Sequence, residues 1–507
     1  MEPVRRMIVN TAAQYVKALI NIALSLYSTR LILEALSISD YGLYSVVGGL
    51  VAMLGFITNA LVITTQRYIS YYHGSGDSEY VRKLFTNSLL LHLFIGIGLA
   101  VLLYLPEHWL MNHVLNIDES RIQVAIYVYE ITILMLFITV LTAPFKALFI
   151  ARENIVYISI VEVCDGIVKL LLAIFLLSVK ADKLLVYAGM MALILFANLL
   201  AFAIYALLRF DECSIIIRKK DIEKECMVRL IGFAGWTTYG MGAVAARNQG
   251  TAVILNHFFG TTINAAYGIA FQIYSAVSFV ATSILNAMNP QIMKAEGGGD
   301  RKRTLMLAER ESKYSTALMA VVSIPLIVEM PSVLALWLKE VPEGTTFFCR
   351  CILGAFLCDQ MSYGLHTANQ ALGNIRNYTL LVYTPKLLTL VVIWLLLEKG
   401  YGINAVMFVY VLVEFVVALV RLPYLKITAG LKICMYVKNV ILPLLPLCLG
   451  VFLVGWLCSS WNNSYSSLLN IFMMLIVGCI MVWCFTLDKN ERAYFKTMIN
   501  KRRGLPC

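Results

Sequence analysis

The sequence predicts an all-α polytopic membrane protein with about fourteen transmembrane helices. The chain of 507 residues is 60% hydrophobic and only 14% charged, and its mean hydropathy is +0.78. These values exclude an ordinary soluble globular protein. The apolar runs are near 20 residues long and are separated by short polar breaks, which is typical of membrane-spanning helices and not of the ten-residue alternation in a membrane β-barrel.

The predicted spans follow one another along almost the whole chain. The first comes directly after "MEPVRR" and has no small-residue cleavage site, so we expect a permanent helix and not a signal peptide. The spans are predicted at 9–35, 41–65, 84–105, 122–143, 155–178, 184–208, 230–257, 262–289, 314–338, 346–370, 377–397, 402–420, 439–458 and 466–487.

The basic residues predict the orientation of the chain. The formal net charge is +11, with 41 Lys and Arg against 30 Asp and Glu. Most Lys and Arg fall in every second loop and at the two termini, on one side of the membrane. Because cytoplasmic loops carry an excess of Lys and Arg, both termini are predicted to be cytoplasmic. Topology and anionic lipid thus account for the positive charge, and we expect membrane lipids, not nucleic acid, as partners. Five basic residues fall inside predicted spans: Lys17, Arg30, Lys169, Arg247 and Lys386.

The cysteines do not predict a metal site. The twelve cysteines are scattered without a CxxC pair, and most lie in apolar runs. Cys349 and Cys351 form a C-x-C that could chelate a metal, but small apolar residues packing in a helix explain them better. We expect no bound metal and no cofactor.

An internal repeat predicts how the spans are organised. The segment "DYGLYSVVGG" at 40–49 resembles "AYGIAFQIYS" at 266–275, and each opens the second span of a hairpin. The glycine-rich ends "HGSGD" and "EGGGD" stop at Asp77 and Asp300, an offset of 223 residues, and "ARENI" at 151–155 weakly matches "ALGNI" at 371–375. Neither glycine-rich end has the P-loop pattern, so we expect tight cytoplasmic turns.

The repeat predicts a duplication of six spans plus six, followed by two more. The predicted parts are an N-lobe at 1–208, a basic cytoplasmic linker at 209–229, a C-lobe at 230–425, and two extra helices with a basic tail at 426–507. Six is an even number, so the lobes are related by an axis along the membrane normal. Such parallel repeats are typical of transporters with a central cavity and alternating access.

A polar stripe on the first span predicts a hydrated lining. Its six members are spaced 3 or 4 residues apart, so they share one helix face, and an intramembrane lysine seldom faces lipid. At the offset of 222 set by "LILE" and "VILN", Ser25 maps onto Arg247, which gives each lobe one cation on the equivalent helix. Arg30 lies off this face and is expected to snorkel to the interface. The stripe consists of Asn10, Gln14, Lys17, Asn21, Ser25 and Ser28.

Other polar groups within spans extend the candidate site. Basic and amide groups together suit an anionic substrate that carries sugar. Lys169 shares a face with Glu162 and Asp165, which predicts either mutual neutralisation or a role with substrate or protons. Span eight adds a polar line of Gln272, Ser275, Thr282, Asn286 and Asn289.

A proton relay is a further hypothesis for span ten. Asp359 and His366 lie at helical spacing together with Ser362 and Asn369. A buried carboxylate near an imidazole can load and release a proton. Solvation of the cytoplasmic end of a helix is the alternative explanation. Lys386 follows Pro385 and is expected to face either the cavity or a packing neighbour.

The segment "TRLILEALSISDYGLYSVVGGLVAMLGF" resembles the first hairpin of bacterial Wzx-type polysaccharide flippases of the multidrug/oligosaccharidyl-lipid/polysaccharide (MOP) exporter superfamily. The residues that carry the likeness are Arg30 with Leu31 and the run Asp40, Tyr41, Gly42, Leu43 and Tyr44. The span count, the duplication and the two extra helices extend it over nearly the whole chain.

The resemblance implies a MATE-like fold and a flippase of the bacterial inner membrane. Its substrate would be undecaprenyl-pyrophosphate-linked oligosaccharide, its partners a polysaccharide polymerase and a chain-length regulator, and any coupling ion H⁺ or Na⁺. The cavity cations of the family correspond most closely to Lys17 and Arg247, although lysine stands here where arginine is common.

Two other classes remain as alternatives. An ion-coupled drug or metabolite exporter of the same superfamily shares the fold, but cation exporters usually present carboxylates to their substrates, whereas the stripe here is basic. A membrane glycan polymerase or acyltransferase needs catalytic groups on large external loops, and the predicted external loops are short. We therefore expect no enzyme activity.

Overall fold

The computed structural model describes residues 3–52, 54–111, 119–213, 218, 221–338, 340–459, 464–488 and 491–493. These residues form seventeen α-helices and no strand. A 3₁₀ turn at Glu119–Arg121 precedes α5, and π-helical turns at Val437–Ile441 and Val482–Thr486 flank the last helices. The helices are α1 Pro3–Ala52, α2 Gly55–Ser75, α3 Ser78–Tyr104, α4 Glu107–Trp109, α5 Ile122–Ala151, α6 Ile155–Ser178, α7 Lys183–Arg209, α8 Lys224–Gly297, α9 Arg301–Val328, α10 Met330–Trp337, α11 Thr345–Gln360, α12 Tyr363–Leu372, α13 Arg376–Glu398, α14 Ile403–Ala429, α15 Ile433–Tyr436, α16 Leu442–Ser459 and α17 Ser464–Met481.

The helices account for the fourteen predicted spans. By length and apolarity alone, nine described helices can cross a membrane, or ten if α9 and α10, which meet at a 78° bend, form one span. Three more of the predicted spans correspond to α2, to α6, which carries three charges, and to the pair α11–α12. The fourteenth predicted span is accounted for by α8, which is 74 residues long and contains two predicted spans.

The two long helices differ from the predicted hairpins in opposite ways. In α8 the break falls at Gly260, whose φ of 80° only glycine adopts readily, and this lies in the predicted loop. In α1 the predicted loop at 36–40 is helical, and the chain leaves the helix only after Ala52. The loop prediction is wrong there because "SISD" contains no proline or glycine to break the helix.

The chain divides by contacts into two units. The first contains residues Met1–Gly242 and Met293–Asp300, and the second contains Ala243–Ile292 and Arg301–Cys507. In the first unit α6 packs along α1, and α5 packs on α2, α3 and α7. In the second unit α11 and α13 pack on α14, and α9 contacts α11, α12, α16 and α17. Contacts, not duplication, define these units, so the lobe boundaries at 208 and 230 stay a prediction.

Within the first unit, the ends of α2 and α8 cross with their backbones in contact. A Cβ on Gly74 would lie 2.0 Å from the carbonyl oxygen of Lys294, and one on Gly297 would lie 1.7 Å from that of Tyr71. At the repeat offset of 223, Gly74 maps onto Gly297 and Tyr71 maps onto Lys294. The crossing is therefore symmetrical, as a duplication predicts. Beyond it, Gly76 and its counterpart Gly299 take φ values of 80° and 77° in the predicted tight turns.

Candidate functional site

Five charged side chains meet in the first unit, and we name Lys17, Lys146, Glu162, Asp165 and Lys169 the first charged cluster. The Glu162 carboxylate accepts hydrogen bonds from two lysines, Lys17 on α1 at 2.7 Å and Lys146 on α5 at 2.9 Å. Lys169 pairs with Asp165 one turn away at 2.7 Å. Asn198 on α7 donates to the other oxygen of Asp165 at 2.7 Å. The cluster therefore joins four helices and carries one formal positive charge in excess.

Four of these groups open onto a cavity of about 360 Å³ inside the first unit. Its polar lining includes Lys146, Glu162, Asp165, Lys169 and Asn198. An ammonium group has three N–H donors. Lys146 and Lys169 each use one on a carboxylate, so each keeps two donors for a ligand or water. Both side chains are about one third exposed. The cavity therefore offers cationic donors that the described protein groups leave unsaturated.

The polar stripe of α1 lies against α6. Asn10 is buried and donates to the Glu153 carbonyl oxygen at 2.9 Å, while Gln14 accepts from Lys17 at 3.2 Å. Asn21 packs on Gly166 and lines the cavity. Lys17 thus bonds Glu162 on α6, Asn10 bonds the turn before α6, and Gln14 bonds within α1. Of the described stripe residues, Asn21 alone reaches the cavity lining, Ser28 is buried and Ser25 is exposed.

A second charged cluster forms in the second unit from Arg247, Asp359, Lys386, Glu414 and Arg421. The Glu414 carboxylate is held by Arg247 at 2.5 Å and by Lys386 at 2.7 Å. Asp359 is held by Arg421 at 2.7 Å, with Lys386 at 3.8 Å from it. It too has three bases, two acids and one excess charge.

The two clusters differ in burial. Side-chain exposure lies between 2% and 13% in the second cluster and between 12% and 36% in the first. Arg247 also donates to the Tyr410 hydroxyl at 2.9 Å and lies over its ring. The second cluster is thus enclosed by its own helices, and the first is the better candidate for a ligand site.

Several predicted site residues pair with groups other than each other. Lys17 and Arg247 lie in different units, each bound to a carboxylate of its own unit. Asp359 and His366 are not hydrogen-bonded to each other in the described residues, since Asp359 pairs with Arg421 and the imidazole contacts Gln370 at 3.1 Å. The predicted continuous span ten is broken between α11, which carries Asp359, and α12, which carries His366.

The residues of the predicted polar line on α8 differ in their exposure. Gln272, Ser275 and Thr282 are exposed, and Asn286 is half-buried, so this face can be hydrated. Glu162, Asp165 and Lys169 do not form one mutually neutral group, because Glu162 takes its cations from α1 and α5. Lys386 faces a packing neighbour, Glu414.

Sequence reasoning missed Lys146, Asn198, Tyr410 and Arg421. The span predicted at 122–143 ends just before Pro144 and leaves Lys146 outside the membrane, yet α5 continues to Ala151. The apolar run after that proline was a usable signal. Arg421 stands seven residues after Glu414 on one helix face, a spacing that could have placed it in the bundle.

Solved membrane transporters share this fold. No family model and no curated protein matches the chain. A MATE in complex with MaD3S superposes with a TM-score of 0.73 at 14% identity, covering 85% of this chain and 97% of that one. An outward-facing multidrug resistance MATE family transporter of the MOP superfamily gives 0.73 at 13% identity, with 85% and 96% covered.

A third structure is a MOP superfamily transporter from Pyrococcus furiosus whose binding pocket is described as having reverse polarity. It superposes with a TM-score of 0.68 at 13% identity over 85% of this chain and 96% of that one. Likeness at this identity establishes architecture and not substrate. The protein is therefore a multi-pass membrane protein with the fold of the MATE and other MOP superfamily transporters.

Proposed function

We propose that the protein is a transporter that flips undecaprenyl-pyrophosphate-linked oligosaccharide across a bacterial inner membrane by alternating access, with both termini in the cytoplasm. The glycan would serve O-antigen, capsule or exopolysaccharide export. The observation that carries the proposal is the pair Lys146 and Lys169, whose unsaturated donors face one cavity of the first unit.

The cavity chemistry favours an anion. Lysine binds phosphate as a point charge with several donors, and a pyrophosphate offers more acceptor oxygens than one carboxylate. Glu162 and Asp165 hold the lysines in place when no substrate is bound. A phosphate that enters can take over the free donors without breaking either pair. Asn198 and Asn21 supply amides at the same wall for hydroxyl groups.

The second charged cluster has a different role in this proposal. Its charges saturate one another and are enclosed, so Arg247 stabilises the helix bundle and does not bind substrate directly. Coupling to H⁺ or Na⁺ remains a prediction, with Glu162 and Asp165 better placed than Asp359 and His366 because their cavity admits ions. A polysaccharide polymerase and a chain-length regulator remain the predicted partners.

An ion-coupled exporter of drugs or small metabolites is the second candidate. The specific observation in its favour is that Glu162 and Asp165 line the same cavity and could face a cationic substrate. Two lysines and two carboxylates line this cavity, and Lys17, which also binds Glu162, gives the first charged cluster its excess positive charge. That excess argues for the flippase.

The test measures lipid-linked oligosaccharide in cells that lack the gene and in cells complemented with variants. We expect the deletion strain to accumulate this lipid in the inner leaflet, protected from a glycosidase added to the periplasm. Lys146→Ala and Lys169→Ala should each restore less than about one tenth of wild-type flipping, since a hydrogen bond to a charged group is worth about 1.5–3 kcal/mol. Arg229→Ala, an exposed cation at i+4 from Glu225, is the matched control and should restore flipping fully.

Two outcomes would contradict the proposal. Unchanged lipid-linked glycan in the deletion strain, together with new sensitivity to toxic cations, would reject the flippase in favour of the exporter. Full flipping by the Lys146 and Lys169 double variant, at normal abundance in the membrane, would reject the cavity as the pyrophosphate site.

A further inference from the structure

We propose that a second chamber in the first unit binds the sugar part of the substrate. This chamber adjoins the cavity lined by Lys146 and Lys169, which we name the lysine cavity, and the inference rests on the proposed function. The chamber has a volume of about 670 Å³, within the range of small-molecule sites. Tyrosines from two helices, Tyr41, Tyr44 and Tyr187, form much of its wall, and Gly48, Gly49 and Gly55 form another part.

Polar groups without protein partners converge on this chamber. The Thr58 hydroxyl is buried without a hydrogen-bond partner. The hydroxyls of Tyr44 and Tyr187 and the amide of Asn59 line the same chamber and form no hydrogen bond within the described residues. A buried hydroxyl such as that of Thr58 normally finds a partner, because leaving one unpaired costs about 1–3 kcal/mol. These groups therefore fit a ligand that presents its own hydroxyl groups.

The arrangement of the aromatic rings indicates that the ligand is a carbohydrate. Tyr44 and Tyr187 meet edge to face with their centroids 4.9 Å apart, so the two ring planes are presented at 67° to each other. The electron-rich face of a tyrosine attracts the C–H groups of a pyranose, and its hydroxyl pairs with a sugar hydroxyl. A purely apolar compound would fill the volume but leave the hydroxyls unpaired. No charged residue is among the described residues that line the chamber, which suits neutral or amide-bearing sugars.

The chamber and the lysine cavity lie end to end. Both are lined by Thr58, Asn59, Thr139 and Leu195. On α5 the combined lining runs from Thr132 to Lys146, which spans roughly 20 Å at the helical rise of 1.5 Å per residue. A pyrophosphate at the lysines would thus direct the attached sugars toward the tyrosines.

Glycines keep the chamber open. A Cβ placed on Gly48 or Gly55 meets no atom within 4 Å, and neither residue has a positive φ. Larger side chains at these positions therefore enter the chamber without displacing protein atoms. Leucine there should occupy the volume that the sugar needs while the helices stay intact, since leucine is a better helix former than glycine.

The experiment compares two lipids on purified full-length protein in nanodiscs. One is undecaprenyl pyrophosphate, and the other is the lipid-linked oligosaccharide extracted from the deletion strain. We expect the wild type to bind the glycosylated lipid at least about tenfold more tightly, a difference of about 1.4 kcal/mol. Gly48→Leu and Gly55→Leu should each abolish this preference and leave the affinity for undecaprenyl pyrophosphate unchanged. Gly98→Leu, on an exposed face of α3 with open space at its Cβ, is the matched control and should keep the preference.

The outcomes separate the two proposals. If the wild type binds both lipids equally, or if both leucine variants keep the full preference, the sugar chamber is wrong while the lysine site stands. If the wild type binds neither lipid, the proposed function is wrong and the chamber is rejected with it. Tyr187→Phe provides a milder probe, because it keeps the ring and removes only the unpaired hydroxyl; it should lower the preference without changing thermal stability.

Discussion

Replacing Glu414 by glutamine should destabilise the second unit more than any other single charge removal in it. The change keeps the shape of the side chain but removes the charge that Arg247 and Lys386 share at 2.5 Å and 2.7 Å. Glu414 is only 6% exposed. Asp359, already held by Arg421, would then face three enclosed cations alone.

The size of the effect follows from burial. Removing one partner of a buried ion pair costs about 3–5 kcal/mol, because the remaining charge is neither solvated nor compensated. For a unit of this size the cost corresponds to a fall in melting temperature on the order of 10 °C. Thermal unfolding of the purified protein in detergent, followed by intrinsic fluorescence, measures it directly.

Two variants make this test specific. Glu225→Gln removes an exposed carboxylate paired with Arg229 at i+4, and should cost only about 0.2–0.5 kcal/mol. Adding Lys386→Met to Glu414→Gln removes one uncompensated cation and should recover part of the loss. Equal melting temperatures for Glu414→Gln and Glu225→Gln would refute the reasoning, since the cluster would then not be enclosed by protein.

Two further predictions concern the ends of the first unit. Gly297→Ala places a Cβ 1.7 Å from the Tyr71 carbonyl oxygen, so the backbones must separate; a loss of about 1–3 kcal/mol in thermal unfolding is expected, whereas Gly98→Ala should cost nothing, and equal stability of the two would contradict the close crossing. At the other end, burial of Asp182 works to raise its pKa, but the hydrogen bonds from Arg121 and from backbone amides outweigh it and lower the pKa below its usual value. The stabilisation is present above the unfolded-state pKa of about 3.9 and is lost as the pH falls through the folded value, so the gap in melting temperature between wild type and Asp182→Asn should be largest near pH 7 and close in acid. A gap that does not change with pH would show that the charge of Asp182 has no part in it.

The sequence by itself determined the fold class. Length of apolar runs is enough for this, because a backbone in lipid must satisfy its hydrogen bonds within a helix. The glycines of "HGSGD" and "EGGGD", on which the predicted duplication rests, were also readable, since a close backbone crossing and a left-handed turn both require glycine at fixed positions. The helical wheel correctly grouped Gln14, Lys17 and Asn21 on one face. It could not say what that face would meet.

Only the tertiary structure decided which charges are open and which are enclosed. Lys17 and Arg247 look alike in sequence, yet each is bound to a carboxylate brought by another helix, Glu162 or Glu414, from 145 and 167 residues away. Lys146 and the tyrosine chamber depend likewise on how α5 and α7 pack. Periodicity reports the face of one helix at a time, whereas an ion pair or a cavity needs the register and rotation of several helices. Those are set by side-chain packing across the bundle, which no single apolar run encodes.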